Sequence, residues 1–483
     1  MELILIPLLA GLLAAWSGKY AKWIALAGSI SSLAFLIFLF RGFNPDGGFQ
    51  FAFNKPWFFT GMHFHTAIDG IGMVLLLLTN VLSPVIVLAS FGKEKNGALL
   101  VALIVGMQAA LNGVFMSMDG LMFYIFWELA LIPFYFITAL WGEGNNIFRT
   151  TLRFFIYTFI GSLAMLASLI YLASKSPNGM NFDYQSLISV KLSLKEALWV
   201  GSGLLLAFAV KIPLMPFHSW QPDTYTEAPA AGSMLLSGIM LKMGLYGLIR
   251  WFFPLVPEAL HIFNPIILYS GVAGVLYGAF IAIRQNDMKR VVAFSSLSHV
   301  GLIAAGLATM SATGLKGSMV QLFSHGVNVI GLFIAVDIIQ SRFANRQLDK
   351  LGGIAKFAPV FSVFFLILVL ASTAVPFSNG FPGELLLLKA IFTKNIMLGV
   401  LSGLTIILCA VYMLRLYQFS MFGQTGENIS SFEKLKWHEI AALGILVALV
   451  LFFGLHPQTL IDICGPSVEK TIELLSNTMG EVK

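Results

Sequence analysis

Six titratable side chains stand inside long apolar stretches of this sequence, and they are the residues best able to do chemistry: Glu128, Lys211, Lys242, His299, His325 and Glu384. An ionisable group at bilayer depth is costly to place, so it usually faces a bundle interior or a water-filled cavity and marks an ion path or a proton relay. Glutamate, lysine and histidine can each take up and release a proton. The set therefore predicts a proton path inside a membrane.

Two interrupted helices must position these side chains. The first follows Lys211, where Pro213, Pro216, Pro222 and Pro229 break an apolar run. The second is the segment VPFSNGFPGE, which ends at Glu384. A broken helix at membrane depth is tolerated only where the freed backbone is buried in protein or lines a cavity. Both breaks are therefore predicted to lie on the polar path.

Glu128 lies in MFYIFWELALIPFYFI, and we expect it to form a proton-carrying pair with Lys211. Two such groups would titrate as one unit. The alternative is a structural carboxyl group that a neighbouring hydroxyl or backbone group satisfies. The proton-carrying role is favoured, because intramembrane carboxyl groups typically mark ion paths.

The other four residues also have structural alternatives. Lys242 could snorkel to the membrane surface, but it lies eight or nine residues from the nearest end of its apolar run. His299 and His325 could be hydrogen-bonded core residues, although an imidazole that donates and accepts suits a relay with intervening water. Glu384 could cap a helix N-terminus. We expect Lys242 to be a central proton site, the histidines to be relays, and Glu384 to be a terminal site.

Composition places the chain in a membrane. Of 483 residues, 58% are hydrophobic and only 11% are charged, compared with about 25% charged in soluble domains. The fold class predicted is an all-α polytopic membrane protein with about fourteen transmembrane helices. The predicted spans are residues 2–17, 22–40, 68–91, 97–117, 120–141, 151–174, 198–221, 230–251, 262–284, 290–310, 316–340, 357–393, 395–422 and 437–455.

Several function classes are disfavoured by the sequence. The net charge of +6 comes from basic residues in short loops, which suits membrane topology better than nucleic-acid binding. No phosphate-binding loop or dinucleotide fingerprint is present. The only cysteines, Cys409 and Cys464, are too few for an iron–sulfur cluster, and a disulfide between them stays open. We therefore expect no redox centre, cofactor or metal site in this chain.

The loops predict an orientation. Alternate loops, beginning after the first span, carry fifteen Lys and Arg residues, whereas the opposite loops and the tail carry ten. The richer side should be cytoplasmic, so both termini are predicted to be periplasmic. In this assignment Arg250 and Lys289 count as loop residues, Asp69 as interfacial, and His63 and His65 as solvated loop residues. A short amphipathic helix is predicted after Pro466.

Two matching spacings hint at an internal repeat. Glu128 precedes Lys211 by 83 residues, and His299 precedes Glu384 by 85. Two five-helix units, each with a broken helix, would be inverted relative to one another, as in many transporters. The predicted divisions are 1–96 for the first three helices, 97–251 and 262–422 for the two units, and 423–483 for the last helix and the tail.

Several longer motifs carry a family resemblance from the third span to the thirteenth: FWELALIPFYF, KIPLMPFHSWQPDTYTEAPAAGS, LKMGLYGLIR, AFSSLSHVG, FSHGVNVIGLF and NGFPGE. These resemble the antiporter-like membrane subunits of proton-pumping NADH:quinone oxidoreductase, respiratory complex I. The chain is too short for the L type of these subunits, and the N type typically has lysine at the second break. Glu384 and the WELALIP motif resemble the M type.

The resemblance implies that the six titratable residues form a proton path coupled to quinone reduction elsewhere in a complex. It implies NADH, FMN, iron–sulfur clusters and quinone in partner subunits, neighbours of the L and N types, and a location in the bacterial inner membrane. The rival class is a subunit of a cation/proton antiporter or a membrane-bound hydrogenase. The related antiporter subunit tends to carry lysine at the second break, so Glu384 disfavours it. A substrate permease is a more remote rival.

Overall fold

A computed structural model describes residues 1–92, 97–144, 146–177, 179–424 and 432–481 of the chain. Apolar α-helices make up most of these residues, which confirms the predicted class of a helical multi-pass membrane protein. The basic residues Lys93, Lys95 and Lys483 lie outside the described residues, and the predicted division at 96/97 falls at the edge of one of these gaps.

The first part of the chain contains thirteen α-helices and two strands among the described residues. They are α1 (Glu2–Trp16), α2 (Ala21–Arg41), β1 (Gln50–Pro56), β2 (His63–Ile68), α3 (Gly70–Ala89), α4 (Gly97–Met116), α5 (Gly120–Leu129), α6 (Leu131–Trp141), α7 (Ile147–Ser174), α8 (Tyr184–Ile188), α9 (Leu194–Lys211), α10 (Gln221–Glu227), α11 (Ala230–Leu235), α12 (Lys242–Gly247) and α13 (Phe253–Leu255).

The second part adds nine described α-helices. They are α14 (Leu260–Arg284), α15 (Met288–Leu307), α16 (Ala312–Phe343), α17 (Ile354–Phe357), α18 (Pro359–Ser372), α19 (Gly380–Lys394), α20 (Ile396–Met421), α21 (Trp437–Leu455) and α22 (Gln458–Glu481). Short 3₁₀ turns lie at Gly18–Tyr20, Pro45–Gly47, Ser90–Gly92, Pro257–Ala259 and Leu348–Lys350.

Eleven helical segments of the described chain are long and apolar enough to cross a membrane. Helices α1 and α18 are apolar but shorter, and α9 ends early at the first break. Each of the fourteen predicted spans thus has a helical counterpart, while their number as true spans stays a prediction. The most enclosed segments are those around Lys242, His299 and His325, whose windows are 94–100% buried, so the core of the molecule contains the predicted path.

The first break lies where the prolines predict it. Helix α9 ends at Lys211, about ten residues earlier than the predicted span, and α10 begins only at Gln221. The Trp220 indole N–H donates a hydrogen bond to the Val210 carbonyl at 3.0 Å. This bond satisfies one of the carbonyl groups that the end of a helix leaves free.

The second break separates α18 from α19. It is held by the Ser324 hydroxyl, which donates to the Asn379 carbonyl at 2.7 Å. Gly383 lets α19 approach α16 closely, since an added Cβ would lie 2.5 Å from Gln321 Oε1 and 2.9 Å from the Gln321 backbone nitrogen. Glu384 is therefore pressed against α16 near the middle of the bundle.

Lys242 begins a short helix, α12, that lies between two π-helical segments, Leu236–Met240 and Leu248–Phe252. Hydrophobic periodicity does not predict these segments. π-Helical turns are rare and frequently occur at functional sites, because the extra residue redirects side chains. The whole run from Ala230 to Leu255 is buried, so Lys242 does not snorkel.

Three expectations about polar residues at the edges of the bundle were wrong. Asp69 and Arg250 are not interfacial or loop residues: they form a buried ion pair at 2.5 Å, with side chains 7% and 5% exposed. Lys289 is also buried, and its ammonium group donates to the Ala228 carbonyl at 2.7 Å. Arg250 and Lys289 were counted on opposite sides, so the predicted orientation does not change.

A two-stranded antiparallel sheet adds to the helices, and the sequence analysis did not predict it. β1 and β2 pair from Gln50 with Ile68 to Pro56 with His63, across an irregularity between Gln50 and Phe53. His63 and His65 lie on β2 rather than in a loop. The His65 Nδ1 atom forms an ion pair with Asp183 Oδ2 at 2.5 Å, which ties the sheet to the start of α8.

The C-terminal helix is longer than predicted. It begins at Gln458, before Pro466, and it packs against α3 and α16. The Ser467 hydroxyl accepts a hydrogen bond from the Gly70 amide at 2.9 Å. Cys409 and Cys464 are both free, so no disulfide joins them. The inverted relation between the two five-helix units stays a prediction.

Candidate functional site

Lys242 and His325 form the first half of a buried cluster. The Lys242 Nζ atom lies 2.9 Å from His325 Nδ1 and donates to the Ser237 carbonyl at 2.5 Å. Lys242 is fully buried, and His325 is 5% exposed. The π-helical turn before Lys242 places the Ser237 carbonyl within its reach. The ammonium group thus has two acceptors and no water-exposed route to the membrane surface.

His299 and Glu384 form the second half. The His299 Nδ1 atom lies 3.0 Å from Glu384 Oε1. This distance is short enough for an ion pair, but the angle between the two groups does not suit a hydrogen bond. The Gln321 side-chain amide donates to the same carboxylate oxygen at 3.3 Å. Both His299 and Glu384 are at least 95% buried. We call Lys242, His325, His299 and Glu384 the relay cluster.

A small cavity lies between the two halves. The ring centroids of His299 and His325 are 6.0 Å apart, too far for direct proton transfer between the rings. Both rings line the cavity, together with Ser295, Ser296 and Asn328. The volume open to the centre of a water molecule is about 20 Å³, and about 10–15 Å³ is enough for one water where polar groups surround it. One water molecule therefore fits between the two rings.

The partners of His325 and His299 suggest where their protons lie. A lysine ammonium group only donates, so His325 Nδ1 facing Lys242 acts as an acceptor in that state, and the proton of a neutral ring then lies on Nε2. That nitrogen is buried and has no partner within the described protein. His325 can thus donate from Nε2 toward a cavity water while it accepts on Nδ1.

Cys409 lies on the other side of His299. Its sulfur is 3.6 Å from His299 Nε2, and its thiol donates to the Ser372 carbonyl at 3.2 Å. Because the thiol proton is engaged, the sulfur is left to accept from the imidazole. The neutral ring then carries its proton on Nε2, and its Nδ1 atom, which faces Glu384, is free to take up a proton that can pass on to the carboxylate.

Glu128 and Lys211, the pair predicted in the first five-helix unit, are not in direct contact. Lys211 is buried at the end of α9, and its Nζ atom lies 5.4 Å from the centre of the Trp127 ring and 5.8 Å from that of Phe154. Among the described residues, the Lys211 Nζ atom has no hydrogen-bond partner, and it does not come within the 4 Å of an ion pair with the Glu128 carboxylate. Glu128 lies near the end of α5 and interacts with Ser162. The pair is thus in electrostatic reach but not in contact.

Two contacts connect the first half to the relay cluster. Gly244, two residues after Lys242, lets α12 touch the end of α9, because an added Cβ would lie 3.2 Å from the Phe208 carbonyl oxygen and the Ile212 nitrogen. The Gln221 side-chain amide, just after the first break, donates to the Ala293 carbonyl of α15 at 3.1 Å. The first break therefore borders the helices that carry Lys242 and His299.

The sequence analysis proposed all six titratable residues but did not predict the groups that contact them. Cys409 and Gln321 sit in ordinary apolar helices, and no local pattern distinguishes them from packing residues. Ser295, Ser296 and Asn328 lie near the two histidines in the sequence, and they line the cavity. No group of three His, Cys, Asp or Glu side chains in the described chain is arranged to hold a metal ion.

Comparison with known proteins identifies the relatives of this arrangement. Residues 117–410 match the family described as NADH:quinone oxidoreductase/Mrp antiporter, transmembrane region. NADH-quinone oxidoreductase subunit M of Rickettsia conorii is 34% identical over 458 residues, which cover 94% of this chain and 92% of the relative. F(420)H(2) dehydrogenase subunit M of Methanosarcina mazei is 35% identical and covers 98% and 97%.

A solved structure agrees with these matches over the whole fold. A chain of respiratory complex I from Thermus thermophilus with bound NADH superposes with a TM-score of 0.90, at 28% identity and with 98% of this chain and 99% of that chain covered. The family match, the relatives and the shared fold all extend across the broken helices and the relay cluster. This chain belongs to the NADH:quinone oxidoreductase/Mrp antiporter transmembrane family, in which its relatives include the M subunits of NADH-quinone oxidoreductases.

Proposed function

We propose that this chain is the M-type, proton-translocating membrane-arm subunit of an NADH:quinone oxidoreductase. NADH, FMN, iron–sulfur clusters and quinone would be held by partner subunits, and neighbours of the L and N types would flank this chain in a bacterial inner membrane, with both termini periplasmic. The relatives named subunit M and the fold shared with complex I support this assignment.

The observation that carries the proposal is the continuity of the relay cluster. Lys242 contacts His325, a space for one water separates His325 from His299, and His299 contacts Glu384. Each contact joins a group that can donate a proton to one that can accept it. A proton can therefore pass from Lys242 to Glu384 with side chains and one water as the only carriers.

Coupling in this scheme is electrostatic. Charges in a low-dielectric interior interact much more strongly than in water. A change of charge at Glu128 or Lys211 would therefore alter the proton affinity of Lys242, and the effect would continue through the two histidines. The chain itself would need no redox chemistry, because a charge displaced in a neighbouring subunit would start the same sequence.

The second candidate is a subunit of a cation/proton antiporter, since the matched family includes Mrp antiporters. Glu384 at the second break and the relatives named as dehydrogenase subunits M favour the oxidoreductase.

Purification of the native complex separates the two candidates. We expect flavin- and iron–sulfur-containing subunits to copurify with the chain, and vesicles that contain the complex to take up protons when NADH and a short-chain quinone are added. A complex made only of membrane subunits, with cation/proton exchange and no NADH oxidation, would contradict the proposal.

A further inference from the structure

A second polar cavity opens at one end of the bundle, separate from the relay cluster. It lies between the end of α15, the start of α16 and the end of α19. The volume open to water-sized groups is about 160 Å³, and the lining residues are Thr309, Ser311, Thr313, Lys389, Ala390, Thr393 and Lys394. Two lysines and four hydroxyl-bearing residues with no acidic residue among them make this cavity suited to an anion.

The two lysines are available to a ligand. Lys389 and Lys394 are both exposed, and neither forms an ion pair or a side-chain hydrogen bond within the described parts of the chain. Lys316 at the start of α16, in contrast, is paired with Glu469 at 2.6 Å. Lys389 follows Glu384 by five residues on α19, about 140° round the helix axis, so it does not share the face of that glutamate. Their charges are therefore not neutralised within the chain.

The start of α16 adds a favourable field. This helix has 32 residues, and its first turn begins at the cavity with Ser311 as the N-cap. The N-terminus of a long helix carries partial positive charge and unsatisfied N–H groups, both of which favour an anion. The helix N-terminus, the two lysines and the hydroxyl groups thus all favour a negatively charged ligand.

The surroundings indicate where the anion comes from. Directly beside the lysines, the apolar side chains of Phe392, Ile396 and Met397 are 40%, 74% and 71% exposed. Apolar groups at the end of membrane helices normally contact lipid. A ligand that occupies the cavity would therefore have a charged group next to hydrocarbon, which is the structure of a phospholipid and not that of a free ion.

We propose that this cavity binds the phosphate of an anionic phospholipid headgroup, with Lys389 and Lys394 as the charged contacts and with Ile396 and Met397 against the acyl chains. Basic pockets between membrane helices bind such headgroups in other proteins. Lys389 is five residues from Glu384, about 7.5 Å along the helix axis, so the bound lipid would lie at the open end of the half-helix that carries the terminal site of the relay cluster.

Photolabelling in vesicles tests the proposal. The native complex is reconstituted in phosphatidylcholine that contains a phosphatidylglycerol with a photoreactive group near its headgroup, and labelled peptides are located by mass spectrometry. The same experiment with photoreactive phosphatidylcholine measures contact with lipid in general. We expect the phosphatidylglycerol probe to label the segment around Ile396 and Met397 preferentially.

Substitutions of the two lysines test whether their charges bind the headgroup. The double variant Lys389→Gln/Lys394→Gln should lower this labelling about thirtyfold, from the loss of two lysine–headgroup attractions. Lys389→Arg/Lys394→Arg should retain it. Lys195→Gln, at an exposed lysine outside the cavity, is the matched control and should have no effect. Native gels confirm equal assembly.

Three results would overturn the proposal. Equal labelling by both probes would mean that only acyl chains contact this region. Unchanged labelling in the double glutamine variant would remove the lysines from the site. Displacement of the probe by excess inorganic phosphate would show that the cavity takes a free anion rather than a lipid.

Discussion

At the scale of single residues, the proposed relay depends on complementary hydrogen-bonding partners for each titratable group. Lys242 can only donate while it is charged, and His325 accepts from it. His299 lies between a thiol sulfur and a carboxylate. A histidine can pass a proton between its two nitrogens by accepting on one and releasing from the other. The direction of transfer then depends on which neighbouring charge changes.

Glu128→Gln tests the start of the path. The amide keeps the size of the side chain and its contact with Ser162, so the subunit should assemble normally, but it cannot take up a proton. We expect NADH-driven proton pumping to fall about 100-fold, the low end of the usual cost of removing an acid–base group. The readout is acidification inside vesicles that hold the assembled complex, and near-normal pumping would remove Glu128 from the path.

Glu384 tests the end of the path with two graded changes. Glu384→Ala leaves His299 with no proton acceptor at the second break and should reduce pumping severely. Glu384→Lys still offers a titratable group and should be milder. Proton uptake and assembly of both variants are compared with those of the unmodified complex. Wild-type pumping by Glu384→Ala would return this residue to a structural role.

At the scale of elements, irregular helices position the cluster. The prolines and glycines of the two breaks could be read from the sequence, because they remove donors or allow close approach. The π-helical turns around Lys242 could not, since no local sequence pattern marks them, and they pack against helices distant in sequence, α9 and α16. The sheet of β1 and β2 was missed for a similar reason: its strands are short and partly polar.

The buried ion pair of Asp69 and Arg250 also could not be predicted from the sequence. Arg250 follows an apolar run and reads as the first residue of a loop, yet the π-helical turn at Leu248–Phe252 carries it inward to the Asp69 carboxylate at the start of α3. The pair fixes the end of the helix that begins at Lys242 relative to α3. Long-range pairing of this kind needs the tertiary structure to be known.

Loss of one partner of that pair should destabilise the subunit. Asp69→Ala leaves a guanidinium group buried without its carboxylate, which costs about 3–5 kcal/mol for a buried ion pair. We expect a lower melting temperature and less assembled complex on native gels. Lys195→Ala, at an exposed lysine, serves as the control. A melting temperature equal to that of the unmodified complex would show that the pair contributes nothing to stability.

At the scale of the whole molecule, composition and apolar windows predicted the membrane class, and the motifs predicted the family, because membrane spans and charged intramembrane residues are strong local signals. The contacts of Cys409 and Gln321 with the cluster were not predictable, since each joins helices far apart in the chain. The placement of Glu128 and Lys211 out of direct contact was equally hidden, because spacing along a sequence does not give distance in space.

The chain by itself should have no redox activity. No nucleotide motif occurs in the sequence, and we expect electron transfer to take place elsewhere in the proposed complex. The purified subunit in vesicles is therefore expected neither to oxidise NADH nor to reduce quinone, whereas the complete complex does both. Either activity in the isolated subunit would contradict a purely proton-conducting role.

The most direct test of the central claim is the ratio of protons pumped to NADH oxidised in vesicles that contain the Lys242→Ala complex. Lys242 is the entry to the relay cluster, so its loss should abolish proton transfer through this subunit and lower the ratio, while Lys356→Ala, at an exposed lysine of α17, should leave it unchanged. A Lys242→Ala complex that assembles fully and pumps at the unmodified ratio would contradict the proposed path.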